Sequence, residues 1–371
     1  MMQQTDPDFQ GFEQGPIRPP SEAASLLLRV TRNCPWNRCK FCPVYKDARF
    51  SLRPVGHVKR DIDAVYRCVQ EMAGRPTWGE PEDPWAWQAA RHWMAYGRRQ
   101  VFLQDANSLV VSPSDLLAIL EHLKSRFPEI ERLTSYARSS TVARLDDRVL
   151  SELRAAGLNR IHIGLESGCD QVLREVCKGT TQKNQITAGL KVRQAGMELS
   201  EYYMPGLGGR RLREAHARET AAALNQINPH FIRLRTLAIP RHTPLYEDYH
   251  SGRFEKLTDL MVAEEILLFL ESLSGITSVV ASDHILNLLP EVEGVLPQDR
   301  ERMLRVVQDF LDLDPEGQCL FQVGRRTGIM SRLSDLENPA RVARVAAISR
   351  EHGVTPQNVD RLTDELMRRF I

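Results

Sequence analysis

The chain has 371 residues, of which 42% are apolar and 26% are charged, and its 49 Lys and Arg side chains balance 48 Asp and Glu. This composition is that of a globular protein and excludes a disordered or fibrous chain. The net charge of +1 provides no overall field that would hold a polyanion, and no apolar run approaches the ~20 residues of a membrane-spanning helix. The first residues lack the basic start and apolar stretch of a secretory signal, so we expect a cytoplasmic protein.

From Ser25 onward, short β-type runs alternate with helical patterns, which is the rhythm of repeated βα units in a parallel sheet. The predicted strands are Leu26–Val30, Val101–Gln104, Arg132–Ala137, Arg160–Leu165, Leu199–Met204 and Phe231–Ile239. The helices predicted between them are Val58–Ala73, Ser114–Phe127, Asp146–Ala156, Thr181–Ala195 and Leu212–Ile227. Six units are too few to close the usual eight-stranded barrel. The predicted fold class is therefore α/β, with a partial (βα)6 TIM-like barrel.

The pattern divides the chain into three parts. Residues 1–24 form an N-terminal extension and residues 25–247 form the barrel. In residues 248–371 the strand rhythm stops and apolar residues recur at helical spacing, as in Asp299–Leu313. We predict a helical C-terminal module there.

An insertion at residues 74–99 interrupts the barrel pattern. It holds four of the five tryptophans, Trp78, Trp85, Trp87 and Trp93. Asp83-Pro84 predicts a helix start within it. A connection from helix to strand lies at the end of a parallel sheet that is remote from the usual site. We therefore expect these tryptophans to pack in the core rather than to form a ligand cage.

Three of the seven cysteines, Cys34, Cys39 and Cys42, follow the first predicted strand within nine residues. A loop at the carboxyl end of a parallel strand is where this fold class places its chemistry. Three thiolates from one loop can bind three irons of a [4Fe–4S] cluster and leave the fourth iron open for a ligand. A structural zinc site, which needs a fourth ligand and normally a second Cys or His knuckle, is the main alternative, and coincidence is the other. We interpret the loop as a cluster site.

These cysteines, together with later motifs, resemble the radical S-adenosylmethionine superfamily over about Ser25–Glu247. The later motifs are VFLQDAN at 101–107, YAR at 136–138, GLESG at 164–168, KGTT at 178–181 and MPGLGG at 204–209. The branch that they most resemble includes oxygen-independent coproporphyrinogen oxidases and the catalytic subunit of Elongator. The chain departs from the usual spacing of the family, because four residues rather than three separate Cys34 from Cys39. Phe41 and the two-residue gap before Cys42 are typical.

The resemblance implies an oxygen-sensitive radical enzyme with two cofactors, a [4Fe–4S] cluster and S-adenosylmethionine. It implies that the amino and carboxylate groups of S-adenosylmethionine chelate the open iron, and that an electron from the cluster cleaves the sulfonium to give a 5′-deoxyadenosyl radical. The protein then has to place a substrate hydrogen against that radical and exclude water. The cofactor-binding candidates at strand ends are Gln104, Asp105, Asn107, Arg138, Glu166 and Arg235. Each keeps a structural alternative, because Asp or Asn after a strand is a common helix cap and a lone Arg is commonly a surface ion pair.

Two further segments are candidates for the surroundings of the site. The glycine-rich stretch Gly206–Gly209 is expected to let the backbone approach the nucleoside closely. An open barrel needs a cover over its cluster face, and the junction Ser282–His284 is expected to supply it, with Asp283 or His284 reaching the pocket. The alternative for Asp283 is that it caps a short apolar helix.

The partners implied are S-adenosylmethionine, an unidentified substrate and a low-potential electron donor such as flavodoxin or ferredoxin. We expect no interaction with a membrane. Two other functions stay open. One is an RNA-modifying radical enzyme, by analogy with the Elongator branch, so nucleic acid stays among the partners to be tested. The other is a non-catalytic iron–sulfur protein that senses iron or redox state. The run of nucleotide-site motifs disfavours the sensor, and the C-terminal module shows no basic, aromatic-studded strand pattern of an RNA-binding barrel.

Overall fold

Parallel strands that alternate with helices form the core of the computed structural model, which describes residues 9–74 and 83–367. The strands are β1 (Leu26–Arg29), β2 (Thr31–Arg32), β3 (Ser51–Leu52), β4 (Gln100–Gln104), β5 (Arg132–Ala137), β6 (Arg160–Glu166), β7 (Glu198–Tyr203), β8 (Phe231–Leu234), β9 (Val279–Ala281) and β10 (Gly294–Val295). The helices up to β8 are α1 (Val55–Gly74), α2 (Pro84–Ala95), α3 (Pro113–Arg126), α4 (Ser139–Val142), α5 (Asp147–Ala155), α6 (Asp170–Glu175), α7 (Gln182–Gln194) and α8 (Gly209–Ile227). The later helices are α9 (Pro244–His250), α10 (Asp259–Ser272), α11 (Arg300–Leu311), α12 (Pro315–Arg326), α13 (Pro339–Glu351) and α14 (Val359–Met367).

One compact unit is built from the chain up to Asn37 and from residues 44–163 and 190–199. In this unit β1, β4, β5 and the first half of β6 are parallel neighbours in that order. The register places Phe102 of β4 beside Leu27 of β1 and Thr134 of β5. Helices α1 and α2 pack on β1, and α3 packs on α1 and α5. Each strand thus ends at the same edge, where its following loop begins.

The second compact unit is built from Arg38–Pro43, Gly164–Gly189 and the chain from Ser200 onward. Here β7, β8 and β9 run parallel, and β10 pairs antiparallel with β9. Helix α10 packs against α8 and α11, while α12 packs against α13 and α14. No helix in residues 9–74 and 83–367 combines the length and the apolar character that crossing a bilayer would require.

The predicted fold class is confirmed, because strands alternate with helices as in a partial TIM-like barrel and all six predicted strands are present. The sixth strand ends at Leu234 rather than Ile239. It stops early because the backbone N–H of Thr236 donates to the side chain of Asn287, 2.9 Å away, instead of to another strand. Helices α9–α14 make up most of the predicted helical C-terminal module, which also contains the two short strands β9 and β10 that the sequence analysis did not predict. Strands this short show no alternation of apolar residues in the sequence.

The insertion forms α2, which begins where Asp83-Pro84 predicts. The Asp83 carboxylate accepts the backbone N–H groups of Trp85 and Ala86 at 3.1 and 3.0 Å, as an N-cap does. Trp93 is fully buried, and its indole N–H donates to the Gln100 carbonyl at 2.7 Å. Trp85 is 69% exposed, so the prediction of core packing is confirmed for Trp93 and wrong for Trp85.

Trp87 is half-buried, and Trp78 lies outside the described residues. Next to Trp93 in the core is Phe127, whose ring meets the indole edge-to-face with centroids 4.9 Å apart. Such pairs add to the free energy gained from burial alone. Trp93 thus serves as a structural anchor of α2.

Replacing Trp93 with Ala should lower the free energy of unfolding by about 3–5 kcal/mol, because a large cavity and an unpaired carbonyl remain. The exposed Trp85 provides the matched control, and Trp85→Ala should change that free energy by no more than about 0.5 kcal/mol. Urea unfolding of both variants measures the difference. Equal losses would contradict the assignment of Trp93 as the anchor.

Candidate functional site

The first part of the cysteine loop is tied to the end of β4 by Asp105. Asn33, directly before Cys34, donates its backbone N–H to Asp105 Oδ2 at 2.7 Å. Arg29, at the end of β1, donates to the same oxygen through Nε and Nη2 at 3.0 and 2.7 Å. Burial raises the pKa of Asp105, while the hydrogen bonds from Asn33 and Arg29 oppose that rise. The carboxylate therefore joins two strand ends to the residue that precedes the first cysteine.

Gln104 holds the N-terminal extension against this point. Its side-chain oxygen accepts the N–H of Gly15 at 2.7 Å, and its nitrogen donates to the carbonyl of Ile17 at 2.5 Å. A Cβ at Gly15 would lie 1.7 Å from Asp105 Oδ1, so only glycine allows so close an approach. The amide of Gln104 thus binds the extension, and a contact from it to the cofactor stays a prediction.

Asn107 and Arg138 lie together after β4 and β5. The buried Asn107 accepts the backbone N–H of Arg138 at 3.0 Å and donates to the Thr141 hydroxyl at 2.9 Å. The Arg138 guanidinium lies 5.3 Å from the centre of the Trp36 ring, in cation–π contact with the cysteine loop. Asn107 therefore fixes the backbone of Arg138, and Arg138 faces the loop that carries Cys34.

The second part of the loop, Arg38–Pro43, is held by backbone hydrogen bonds and one ion pair. The N–H of Lys40 donates to the Val176 carbonyl at 2.9 Å, and the N–H of Leu245 donates to the Lys40 carbonyl at 3.1 Å. Lys40 Nζ lies 2.8 Å from Asp248 Oδ2, and this bond holds the pKa of Asp248 below its ordinary value. Cys39, which is 7% exposed, is thereby fixed next to an anchored residue.

Glu166 is brought to this part of the loop by Lys178. Lys178 Nζ lies 3.3 Å from Glu166 Oε1 and 5.7 Å from the centre of the Phe41 ring, next to Cys42. Glu166 has a left-handed φ of 63°, and its Oε2 is buried without a hydrogen-bond partner among the described residues. A Cβ at Gly164 would lie 2.3 Å from Glu166 Oε1, so glycine makes room for the carboxylate.

Glu201 is a residue of this site that the sequence reasoning missed. It lies on β7 and is 1% exposed, and neither of its carboxylate oxygens has a hydrogen-bond partner within the described part of the chain. Burial raises the pKa of Glu201 well above its ordinary value, the charge of Glu166 raises it further, and Lys178 opposes the rise. An acidic residue in the middle of a buried strand is the signal that could have identified it, since such positions are normally apolar.

Arg235 follows β8 and lies near His284 of the segment after β9. Burial and the nearby charge of Arg235 lower the pKa of His284 to about 4, so this imidazole is neutral at physiological pH. Asn287 donates to the Leu234 carbonyl at 2.9 Å, and Asp283 pairs with Arg233. No helix forms between β9 and β10, so Asp283 caps none. The segment instead contacts the carboxyl end of β8 through Asn287.

A buried network holds the glycine-rich loop after β7. His216 Nε2 lies 3.0 Å from the Met204 carbonyl, which can only accept, so Nε2 carries the proton and Nδ1 accepts the Ser167 hydroxyl at 2.8 Å. Glu265 Oε1 accepts the Tyr203 hydroxyl at 2.7 Å and the N–H of Gly206 at 2.9 Å. Helices α8 and α10 thus fix the loops that follow β6 and β7.

The donor chemistry of the cysteine loop fits an iron–sulfur cluster. The structure pairs none of the seven cysteines in a disulfide, and Cys34 and Cys42 are partly accessible. No group of three or more His, Cys, Asp or Glu side chains in residues 9–74 and 83–367 is arranged as a metal site. The match to a cluster is one of donor chemistry, three thiols in one loop, and Glu166 and Glu201 add buried carboxyl oxygens without hydrogen-bond partners in the described residues.

Residues 28–219, more than half of the chain, match the family described as the Radical SAM superfamily, and the chain belongs to this superfamily. No curated protein matches the sequence.

Among solved structures, the chain is similar to the archaeal Methanocaldococcus infernus Elp3 with an N-terminal deletion (15% identity, TM-score 0.40, 50% of this chain and 48% of that one). It is also similar to coproporphyrinogen III oxidase (HemN) from Escherichia coli, with 16% identity, a TM-score of 0.43 and coverage of 63% of this chain and 49% of that one. A third similar structure is methylornithine synthase (PylB), with 15% identity, a TM-score of 0.44 and coverage of 77% of this chain and 82% of that one. It spans about half the length of the Elp3 and HemN chains.

The Glu265 carboxyl group should make stability depend on pH. Burial raises its pKa from 4.5 to about 7, so the folded protein holds this proton more tightly than the unfolded chain does. Stability is therefore lost as pH rises from 4.5 through 7. Glu265→Gln keeps an acceptor for Tyr203 and Gly206 but does not titrate. The parent should therefore lose on the order of 2–3 kcal/mol of unfolding free energy between pH 5 and pH 8 that the Glu265→Gln variant does not lose.

Urea unfolding at a series of pH values measures this difference. Glu264→Gln, a change at an exposed neighbour that pairs with Arg213, is the control and should show the same loss as the parent. A gap between parent and Glu265→Gln that stays constant with pH would contradict the assignment.

Proposed function

We propose that the chain is a radical S-adenosylmethionine enzyme that abstracts hydrogen from an unidentified substrate. The observation that carries the proposal is the superfamily match over residues 28–219, which includes the three-cysteine loop at the end of β1. A [4Fe–4S] cluster on Cys34, Cys39 and Cys42 would supply the electron that cleaves S-adenosylmethionine into methionine and a 5′-deoxyadenosyl radical. A flavodoxin or ferredoxin in the cytoplasm is the proposed electron source.

Residues of the first unit are proposed to support the chain before Cys34 and to bind the carboxylate of the cofactor. Asp105 and Asn107 hold the start of the loop and the backbone of Arg138. The Arg138 guanidinium, in contact with Trp36, is proposed to bind the carboxylate of S-adenosylmethionine through parallel N–H donors. Gln104 is proposed to act beside Asp105, where it holds the extension over the strand end.

The second unit would bind the donors of the cofactor. Glu166 and Glu201 present buried oxygens that lack partners in residues 9–74 and 83–367, and a buried unpaired acceptor costs about 1–3 kcal/mol until it is satisfied. Ribose hydroxyls or the N–H groups of the iron-bound amine of S-adenosylmethionine are the proposed donors. Lys178 partly neutralises the two carboxyl groups, so neutral donors are sufficient. Arg235 is the proposed second contact for the carboxylate.

Water exclusion falls to segments that cover strand ends. Asn287 and its neighbours cover the end of β8, next to Arg235 and the neutral His284. A radical needs such a cover because water and other hydrogen donors would otherwise quench it. We therefore propose that residues 25–247 form the catalytic barrel, that the module at 248–371 supplies this cover, and that the described part of the N-terminal extension, residues 9–24, supports the first strands.

The function is tested by anaerobic reconstitution followed by incubation with reductant and S-adenosylmethionine. The protein should hold about four irons, show the absorbance of one [4Fe–4S] cluster and release 5′-deoxyadenosine. Cys34, Cys39 and Cys42 changed together to Ala should remove all three signals. Stoichiometric zinc would contradict the proposal, as would about eight irons that require the other four cysteines. A normal cluster without 5′-deoxyadenosine would favour the sensor alternative.

The cofactor contacts are tested by Glu166→Gln and Glu201→Gln. Each replaces an acceptor oxygen of a carboxyl group with an amide N–H₂ donor, so binding of S-adenosylmethionine measured by titration calorimetry should weaken by about 1–3 kcal/mol. Glu175→Gln is the control, since Glu175 is an exposed acid at the end of α6 that pairs with Arg211, and it should bind as the parent does. Unchanged affinity with a large loss of thermal stability would mean that these carboxylates serve the fold alone.

A further inference from the structure

Two asparagines with left-handed backbone bracket Cys34. Asn33 has a φ of 67° and Asn37 has a φ of 42°. Few residues other than glycine adopt this conformation, and asparagine is enriched among those that do. Both asparagines use their side-chain amides to bind one downstream segment, residues 45–49, so Cys34 lies on a short stretch of chain that is fixed at both ends.

The anchor before Cys34 involves both ends of the Asn33 side chain. Asn33 Nδ2 donates to the Arg49 carbonyl at 2.6 Å, and its Oδ1 accepts from Arg29 Nη2 at 3.3 Å. Its backbone N–H is the one that binds Asp105. The Asn33 amide and backbone are therefore held from β1, from the end of β4 and from the downstream segment.

The anchor after Cys34 reaches the sulfur itself. Asn37 Nδ2 donates to the carbonyls of Tyr45 and Ala48, and Lys46 Nζ donates to the Asn37 carbonyl at 3.2 Å. The backbone N–H of Asn37 donates to Cys34 Sγ at 3.5 Å. This hydrogen bond closes a short turn between Cys34 and Asn37, while the side chain of Asn37 ties the same residue to the downstream segment.

We propose that Asn33 and Asn37 are positioning residues that set the direction of the Cys34 sulfur, and that they make the four-residue gap compatible with cluster binding. The proposal rests on the proposed function, because it assumes that Cys34 ligates iron. The extra residue lengthens the chain between Cys34 and Cys39, which by itself would leave the first sulfur less constrained. Fixing both sides of Cys34 removes that freedom. The N–H bond to its sulfur also lowers the electron density on a ligand, a known influence on cluster stability and potential.

The test compares Asn37→Gly with Asn228→Gly. Asn228 is a second left-handed asparagine, with a φ of 47°, whose amide oxygen accepts the N–H of Thr277 at 2.9 Å in the other unit. Glycine keeps the backbone conformation in both variants and removes the amide anchors. Asn37→Gly should lose iron to a chelator about 10-fold faster than the parent, in the range seen when partners behind a metal ligand are removed. Its reduced cluster should show an altered electron paramagnetic resonance spectrum, and Asn228→Gly should match the parent in both.

The apoprotein provides a readout that needs no iron. Loss of the anchors should speed the alkylation of Cys34 in Asn37→Gly and in Asn37→Asp, whose side chain lacks both amide N–H donors. Mass spectrometry measures the rate of alkylation. Circular dichroism of each variant should match the parent. Iron loss, spectrum and Cys34 alkylation equal to those of the parent would overturn the proposal. If the parent protein itself binds no iron, the proposed function and this inference both fail. If the parent binds iron and the variants behave like it, only this inference fails.

Discussion

The buried Asp105 carboxylate is the interaction on which the cysteine loop most depends. A carboxylate with no exposed surface is costly unless it accepts hydrogen bonds, and Arg29 and the N–H of Asn33 both donate to its Oδ2. These three groups belong to the end of β1, the end of β4 and the start of the loop. The hydrogen bonds to this one oxygen therefore fix the chain directly before Cys34. The close approach of Gly15 adds the N-terminal extension to the same point.

The other unit presents the opposite electrostatic situation. Glu166 and Glu201 place two carboxyl groups near a single ammonium group, that of Lys178, and three of their four oxygens are buried without a hydrogen-bond partner in the described residues. A fold that only needed stability would gain by replacing such a group with an apolar one of similar size. The unpartnered oxygens of Glu166 on β6 and Glu201 on β7 are therefore the proposed acceptors for a ligand. The amine and hydroxyl groups of a nucleoside cofactor have donor chemistry that matches them.

Periodicity and spacing in the sequence predicted the parallel strands, most helices and the three-cysteine loop, because these depend on local patterns of apolar residues and on chain distance. The end of β8 could not be predicted in this way, since the residue that replaces its ladder bond, Asn287, is about fifty positions away. Glu201 was missed because an acid in a buried strand contradicts the pattern that identifies the strand. The left-handed conformation of Asn37 depends on carbonyls that lie downstream in the chain. Such contacts become visible only in three dimensions.

The central claim, that a cluster held by this loop leaves one iron open for S-adenosylmethionine, is tested most directly by magnetic resonance of the reduced, reconstituted protein. S-adenosylmethionine labelled with ¹⁵N in its amino group is added, and hyperfine coupling to the cluster spin is measured. The account predicts a changed spectrum and a clear ¹⁵N coupling, because the amino group binds iron. An unchanged spectrum without ¹⁵N coupling, in protein that holds a full complement of iron, would contradict it.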